Sequence, residues 1–302
     1  MAQTAPPAAR RDQAPEARQG ERRQKAAALR RRALTAPPVW RELLMVVLFY
    51  TGYTLTRIVL VQDGTETAFA NADEILRVER GLGMDIELYL NQTLLSVPWL
   101  ARTANVFYAT MHFIVTLGVV VWLYRYRPHH YRWLRTSIMM ATGVALIGFW
   151  LYPLAPPRFL HSEGFVDPVT ALHSLGLYAS DASGTLTNQY AAMPSMHAGW
   201  ALWCGAIVFK LAAQKWVKAV AALYPATTVV VILSTANHYV LDAVAGIALV
   251  SGAIWVSWVL YIRCPRPLIV ARARISADLA RRRGGTSGSG TGSAGSRCPT
   301  RS

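Results

Sequence analysis

Residues 234–258 read STANHYVLDAVAGIALVSGAIWVSW. Beyond its opening residues the stretch is an apolar run, long enough for the ~20 residues that a helix needs to cross a bilayer. One carboxylate interrupts it, Asp242, with His238 four positions earlier. An ionisable group inside a span is expensive and by default functional. On a helix, positions i and i+4 share a face about 6 Å apart along the axis. The spacing therefore predicts that Asp242 lies one turn deeper than His238 and accepts its ring N–H. That bond fixes one tautomer and leaves the other ring nitrogen with a free lone pair.

The rest of the chain has the composition of a membrane protein. Of its 302 residues 53% are hydrophobic and 16% charged, and the mean hydropathy is +0.25. Soluble domains carry about 25% charged residues. Six apolar segments, near 42–62, 102–124, 134–154, 194–213, 216–235 and 238–262, have the length of spans. The expected fold is all-α: a polytopic membrane protein with a six-helix transmembrane bundle, short extracytoplasmic interfacial helices and disordered basic tails. The net charge is +15, and 26 of the 31 Lys/Arg residues fall in four places: the tail through Arg41, the 125–135 loop, the 210–218 turn and the tail from Arg263. All four lie on one side of the six-span arrangement. Residues 63–100, on the other side, hold seven acidic residues against Arg77 and Arg80. The positive-inside rule then predicts a cell-membrane protein with both termini cytoplasmic. The basicity reads as topology, with tails that touch anionic headgroups, and not as a nucleic-acid interface.

Three domains are expected. Residues 1–40 form a disordered basic cytoplasmic tail, 41–264 the six-span catalytic domain, and 265–302 a disordered Gly/Ser/Arg-rich cytoplasmic tail. Neither tail has the apolar content to bury a core. The first residues lack the apolar region of a secretory signal, so the first span is expected to serve as the insertion signal. Between the first two spans, NADEILRVERGLGMDIELYLNQTLL (71–95) spaces Ile75, Leu76, Val78 and Leu82 as a helix does, with a Gly-x-Gly break at 81–83. This predicts short amphipathic helices on the outer interface. The connection from Ala155 to about Ala192 has no helical pattern, and connections of that length are usually functional or disordered. Cys204, Cys264 and Cys298 fall in a span and in the cytoplasmic tail, which implies no extracytoplasmic disulfide.

Polar residues that the spans do not require gather in three clusters, all extracytoplasmic in this topology. YPLAPPRF (152–159) ends the third span with prolines that hold the following residues extended and set Arg158 just outside the membrane. AAMPSMHAGW (191–200) begins the fourth span, with Pro194 expected in the first helical turn. The unpaired N–H groups of that turn, with Ser195, offer a seat for a phosphate beside His197. The third cluster is His238 with Asp242, and Asn237 reads there as a helix N-cap. His112 and Tyr108, one turn apart in the second span, are candidates to support this group from behind, as is Asn237 if it does not cap the helix.

These motifs carry a resemblance. AAMPSMHAG, followed about forty residues later by HYVLDAVAG, resembles the type 2 phosphatidic acid phosphatase superfamily. YPLAPPRF, MPSMH and HYVLD are most similar to its inositol phosphorylceramide synthase-like branch, the inositolphosphotransferases. The resemblance implies that His238 attacks phosphorus to form a phosphohistidine and that Asp242 orients it. It implies that His197 protonates the leaving alkoxide and later deprotonates the acceptor, while Arg158 and Ser195 hold phosphate oxygens. No metal and no cofactor is implied. The substrate would be a phospholipid or a polyprenyl phosphate. The wider superfamily places Ser-Arg where this chain has Val231 and Ile232, and the first motif lacks an upstream Lys. Arg158 is then the one strong cation on the phosphate unless Arg57, Arg102, His161 or His173 turns inward. Fewer cations suit a phosphodiester donor, hence a transferase. The alternatives are a phosphatase on the same scaffold and a non-catalytic membrane protein that binds anionic lipid. The sequence names neither donor, acceptor nor oligomeric state.

Overall fold

Among the described residues every regular element is helical, and the one strand-like contact is an isolated bridge between Leu154 and Ala191. The computed structural model describes residues 37–60, 65–172 and 190–263, without the side chains of 53, 55–60, 262 and 263. The expected tails through residue 36 and from 264, His173 and the Arg57 side chain lie outside the described residues.

In chain order the helices are α1 (Val39–Leu60), α2 (Thr65–Leu82), α3 (Glu87–Leu95), α4 (Pro98–Tyr126) and α5 (Pro128–Leu151). After two 3₁₀ turns, Pro157–Phe159 and His161–Glu163, come α6 (Pro168–Ala171), α7 (Met196–Leu211), α8 (Lys215–Ser234) and α9 (Val240–Trp258). Proline opens both α4 and α5, where a missing N–H costs nothing. Among the described residues, those through Ser257 belong to one compact unit and 258–263 to a second, in which Val259–Arg263 is a π-helical turn.

Four helices are long and apolar enough to cross a membrane, Pro98–Tyr126, Pro128–Leu151, Lys215–Ser234 and Val240–Tyr261. This marks a multi-pass membrane protein. Two of the six expected spans differ from that description. The first is the 22-residue α1, which begins three residues earlier than its apolar segment. The fourth, α7, has 16 residues, or about 24 Å against a hydrocarbon core of about 30 Å. Large apolar side chains such as Leu117, Leu223 and Trp255 point outward, as a lipid solvent allows and water does not.

The interior of the bundle packs Leu123, Leu134, Ile138, Trp203 and Val250 together. There the Trp203 indole N–H donates to Ser137 Oγ at 2.9 Å, which satisfies a donor that would otherwise be stranded. On the first turn of α1, Glu42 accepts from the Tyr131 hydroxyl at 2.7 Å and pairs with Arg135, which ties α1 to α5. The α7–α8 hairpin is close because of two residues. Pro225 inside α8 leaves the Ala221 carbonyl without its helical N–H, and Gly205 of α7 packs on that carbonyl, where a Cβ would sit at 2.5 Å.

Two helices, α2 and α3, cover 71–95 where amphipathic ones are expected, separated at Gly83, whose φ of +66° few other residues adopt; α2 is amphipathic, whereas α3 buries the polar Glu87 and Asn91. Their buried face differs from the expected one. α2 buries Ala68, Ala72, Ile75, Leu76 and Glu79, while Val78 and Leu82 are exposed. Close approach selects the alanines: the Ala68 carbonyl accepts the Ala155 N–H at 3.1 Å. From α3, the buried Asn91 donates to the carbonyls of Ser234 and Val166 and accepts the Val166 N–H, each at 3.1 Å.

Candidate active site

The three polar clusters meet at one end of the bundle, and backbone bonds join them. Leu154 N–H donates to the Tyr190 carbonyl at 2.8 Å, Arg158 N–H to the Ala236 carbonyl at 2.8 Å, and Ser195 N–H to the Asp242 carbonyl at 2.9 Å. The Tyr239 hydroxyl donates to the Ala155 carbonyl at 3.1 Å. Segments far apart in sequence are thereby fixed within a few ångströms.

His238 is delivered by a turn and not by a helix. α8 ends in the Schellman pattern, with Ala236 N–H on the Leu233 carbonyl at 2.9 Å and Asn237 N–H on the Ile232 carbonyl at 3.1 Å. The left-handed position is Ala236, φ 52°, buried, where glycine is usual. A non-glycine residue there costs about 1–3 kcal/mol, and such strain gathers at functional sites. α9 begins at Val240, so His238 precedes it, and the expectation of two side chains stacked on one helical face is corrected. The predicted hydrogen bond exists all the same, because the turn folds the imidazole back over the first turn of α9. Asn237 is corrected too. It lies three residues before α9 and is no N-cap; its side chain donates to the Thr235 hydroxyl at 2.8 Å and carbonyl at 3.3 Å.

His238 Nδ1 is 3.0 Å from Asp242 Oδ2 and 3.2 Å from the Ala192 carbonyl. Two acceptors on one nitrogen assign the hydrogen to it, leaving Nε2 as the lone-pair atom. That Nε2 lies 3.4 Å from His197 Nδ1, with ring centroids 5.4 Å apart. His238 is 3% exposed and Asp242 fully buried, so solvent does not compete for their bond. His197 is held by aromatic contacts: Tyr108 stacks on it at 4.3 Å and 20°, and His112 meets it edge-on at 4.2 Å. His112 Nδ1 is in turn 3.0 Å from the Tyr108 carbonyl. The other nitrogen of His197, Nε2, is buried with no hydrogen-bond partner among the described residues.

Pro194 is not in the first turn of α7. The helix starts at Met196 with Ser195 as N-cap, its Oγ accepting the Ala198 N–H at 3.4 Å. Because the Ser195 N–H is spent on Asp242, only its hydroxyl hydrogen remains for a ligand. Arg158 lies in a 3₁₀ turn and not in extended chain. It is half-buried, its guanidinium carbon 4.8 Å from the centre of the Phe159 ring, and none of the ion pairs among the described residues uses it. Arg102 and His161 are both exposed.

A family model for the PAP2 superfamily matches residues 73–256, more than half of the chain. The chain belongs to the PAP2 superfamily. No curated protein and no solved structure matches it. Within this PAP2 protein the matched region contains every residue of the candidate site described above, from Arg102 to Asp242. Family membership and the apolar helices together make it a membrane protein of the lipid phosphatase and phosphotransferase class.

Two residues of the site escaped the sequence reading. Glu79 and Glu87 of the PAP2 domain are buried and cap α9 from outside it, Glu87 Oε1 accepting the Val240 N–H at 2.7 Å and Glu79 Oε1 the Leu241 N–H at 2.6 Å. Their signal was present, since Glu79 falls on the same helical face as Ala68, Ala72 and Leu76. A charge amid an apolar face is the mark of a paired group.

Proposed function

We propose that this protein is an integral-membrane lipid phosphotransferase that acts through a phosphohistidine on His238, as an inositolphosphotransferase-like member of its superfamily. The observation that carries the reading is the aim of His238: Nδ1 is tied to Asp242 and Ala192, and Nε2 faces His197 at 3.4 Å. In the first step the Nε2 lone pair forms an N–P bond while the P–O bond to the leaving alkoxide breaks, and His197 gives that oxygen a proton. In the second step the acceptor hydroxyl loses its proton to His197 as its oxygen attacks phosphorus and the P–N bond breaks. Asp242 balances the charge that His238 gains. Arg158 and the Ser195 hydroxyl hold the phosphate oxygens. Attack requires reacting atoms about 3–3.5 Å apart, with the leaving oxygen on the far side of phosphorus. A phosphoryl group does not fit between rings in contact, so substrate binding parts His238 and His197.

In this reading there are six spans, with α1 and α7 as the first and fourth, both termini are cytoplasmic and the site opens at the extracytoplasmic face of the cell membrane. Support comes from the charges: the basic segments Arg125–Arg135 and Lys210–Lys218 lie at the α4–α5 and α7–α8 turns, whereas the histidines lie at the α5–α7 and α8–α9 connections. The donor is a phospholipid or polyprenyl phosphate. The sparse cations favour a phosphodiester donor and an alcohol acceptor; with water as acceptor the same site is a phosphatase.

The test is to trap an acid-labile phosphohistidine with labelled donors in detergent and to analyse the products. A new lipid-linked product is expected, and label released to water would make the protein a hydrolase. His238→Ala and His197→Ala are each expected to lower turnover by about a thousandfold or more with folding intact. Turnover that survives either change overturns the mechanism, and a wild type that turns over no donor leaves a non-catalytic lipid-binding role.

A further inference from the structure

α2 and α3 hold α9, the helix that follows His238, by its amino end. The first amides of a helix have no partner within it, and anions there are favoured by the helix dipole. α9 takes its partners from Glu87 and Glu79, on Val240 and Leu241. Those two residues lie between His238 and Asp242 in the chain. Whatever fixes their amides therefore fixes the geometry of the His238–Asp242 bond.

Each carboxyl uses Oε1 for this. The second oxygen of each, Oε2, is buried with no hydrogen-bond partner among the described residues, and the two carboxyls sit side by side on successive amides. No basic group neutralises them: among the described residues Arg80 pairs with Asp85 and Glu163, and Arg135 with Glu42. The titratable groups that face the pair are Asp242 in the first turn of α9, Tyr239 just before it and Asp85 in the α2–α3 turn. All are neutral or acidic, so all oppose a second negative charge. One hydrogen between the carboxyls satisfies both stranded oxygens.

We propose that Glu79 and Glu87 are a positioning pair for His238, a carboxyl and a carboxylate that share one proton, cap α9 while they hold it, and loosen the site when it leaves. The effect on catalysis rests on His238 being the nucleophile; the shared proton does not. Burial pushes the Glu79 carboxyl up to about 8, against the Leu241 N–H and with the aid of the Glu87 charge. Burial raises Glu87 as well. The native chain thus holds this proton more tightly than the unfolded chain. The sign follows: the stabilisation is complete below about pH 4.5 and is lost as the pH rises through about 8.

The experiment compares wild type, Glu79→Gln and Glu79→Ala, purified in detergent, with His238→Ala as the reference for the nucleophile. Glutamine keeps an oxygen for the Leu241 N–H and offers Glu87 an amide hydrogen, so it imitates the protonated carboxyl at every pH. Glu79→Ala is expected to lower kcat at about pH 6.5 by about tenfold, with KM within about threefold, and Glu79→Gln to restore most of that loss. The alkaline fall of wild-type kcat is expected to flatten in Glu79→Gln. Between about pH 5.5 and 8.5 the melting temperature of wild type should drop by about 5 °C relative to Glu79→Gln. Glutamine that restores nothing, or wild-type and Glu79→Gln profiles that stay parallel in both kcat and melting, overturns the proposal. If alanine prevents folding, the wild-type and glutamine comparison decides alone. Turnover that survives His238→Ala sinks the nucleophile assignment instead, and the melting curves, which need no substrate, still decide the shared proton.

Discussion

Gly246 is the tightest contact in the site, and adding one methyl group there tests the whole arrangement. A Cβ at Gly246 would lie 2.0 Å from the Ser195 carbonyl oxygen, 2.8 Å from its carbon and 3.2 Å from its nitrogen. Ordinary contact begins near 3.4 Å, so α7 and α9 must separate by about 1 Å or more to admit it. The same backbone carries the 2.9 Å bond from Ser195 N–H to the Asp242 carbonyl, and the His197–His238 contact follows two residues on. A misplacement of about 1 Å costs about a hundredfold in rate, equivalent to about 2.7 kcal/mol of transition-state stabilisation. Overpacking adds about 1–3 kcal/mol of destabilisation. Gly246→Ala is therefore expected to lower kcat about a hundredfold in protein that remains folded by melting and gel filtration. Gly252→Ala is the control, because the same helix has nothing within 4 Å of an added Cβ there. It should keep wild-type turnover. Equal activity in the two variants would refute the claim that α7 and α9 must dock this closely for the histidines to work.

Further outcomes follow from other contacts. Asp242→Asn removes the charge that faces the imidazole at 3.0 Å while the Ala192 carbonyl keeps the tautomer; kcat is expected to fall about a hundredfold or more with KM little changed, and a fall under about threefold would deny Asp242 its role. Ser137→Ala strands the buried Trp203 indole N–H, at a cost of about 1–3 kcal/mol. Its melting temperature should drop by about 2–4 °C per kcal/mol with turnover per folded molecule unchanged, and an unshifted melting curve would show that the indole finds another acceptor.

Much of the architecture was legible because it depends on local chemistry. Apolar runs of span length gave four of the helices directly, and proline and glycine marked where they start and break. The pairing of His238 with Asp242 was legible from a spacing of four, although for an imperfect reason: a Schellman turn, and not a continuous helix, brings the imidazole back. Asn237 was misread for the same cause. The sequence shows a polar residue ahead of an apolar run, whereas the i+5 backbone bond from Asn237 to Ile232 that ends α8 depends on chain geometry. Pro194 was misplaced by two residues because Ser195, the better cap, lies behind it.

The sequence by itself determined the solvent, the apolar helices and the candidate residues of the site, since burial in lipid and the demand for paired charges act on each segment alone. Tertiary structure decided which groups meet. Nothing local says that Glu79 and Glu87 reach Val240 and Leu241 across more than 150 positions of chain, that Tyr108 and His112 enclose His197, or that Gly246 admits the Ser195 carbonyl. Those contacts arise because a helix start lacks partners for its amides and takes them from whatever packing brings within reach.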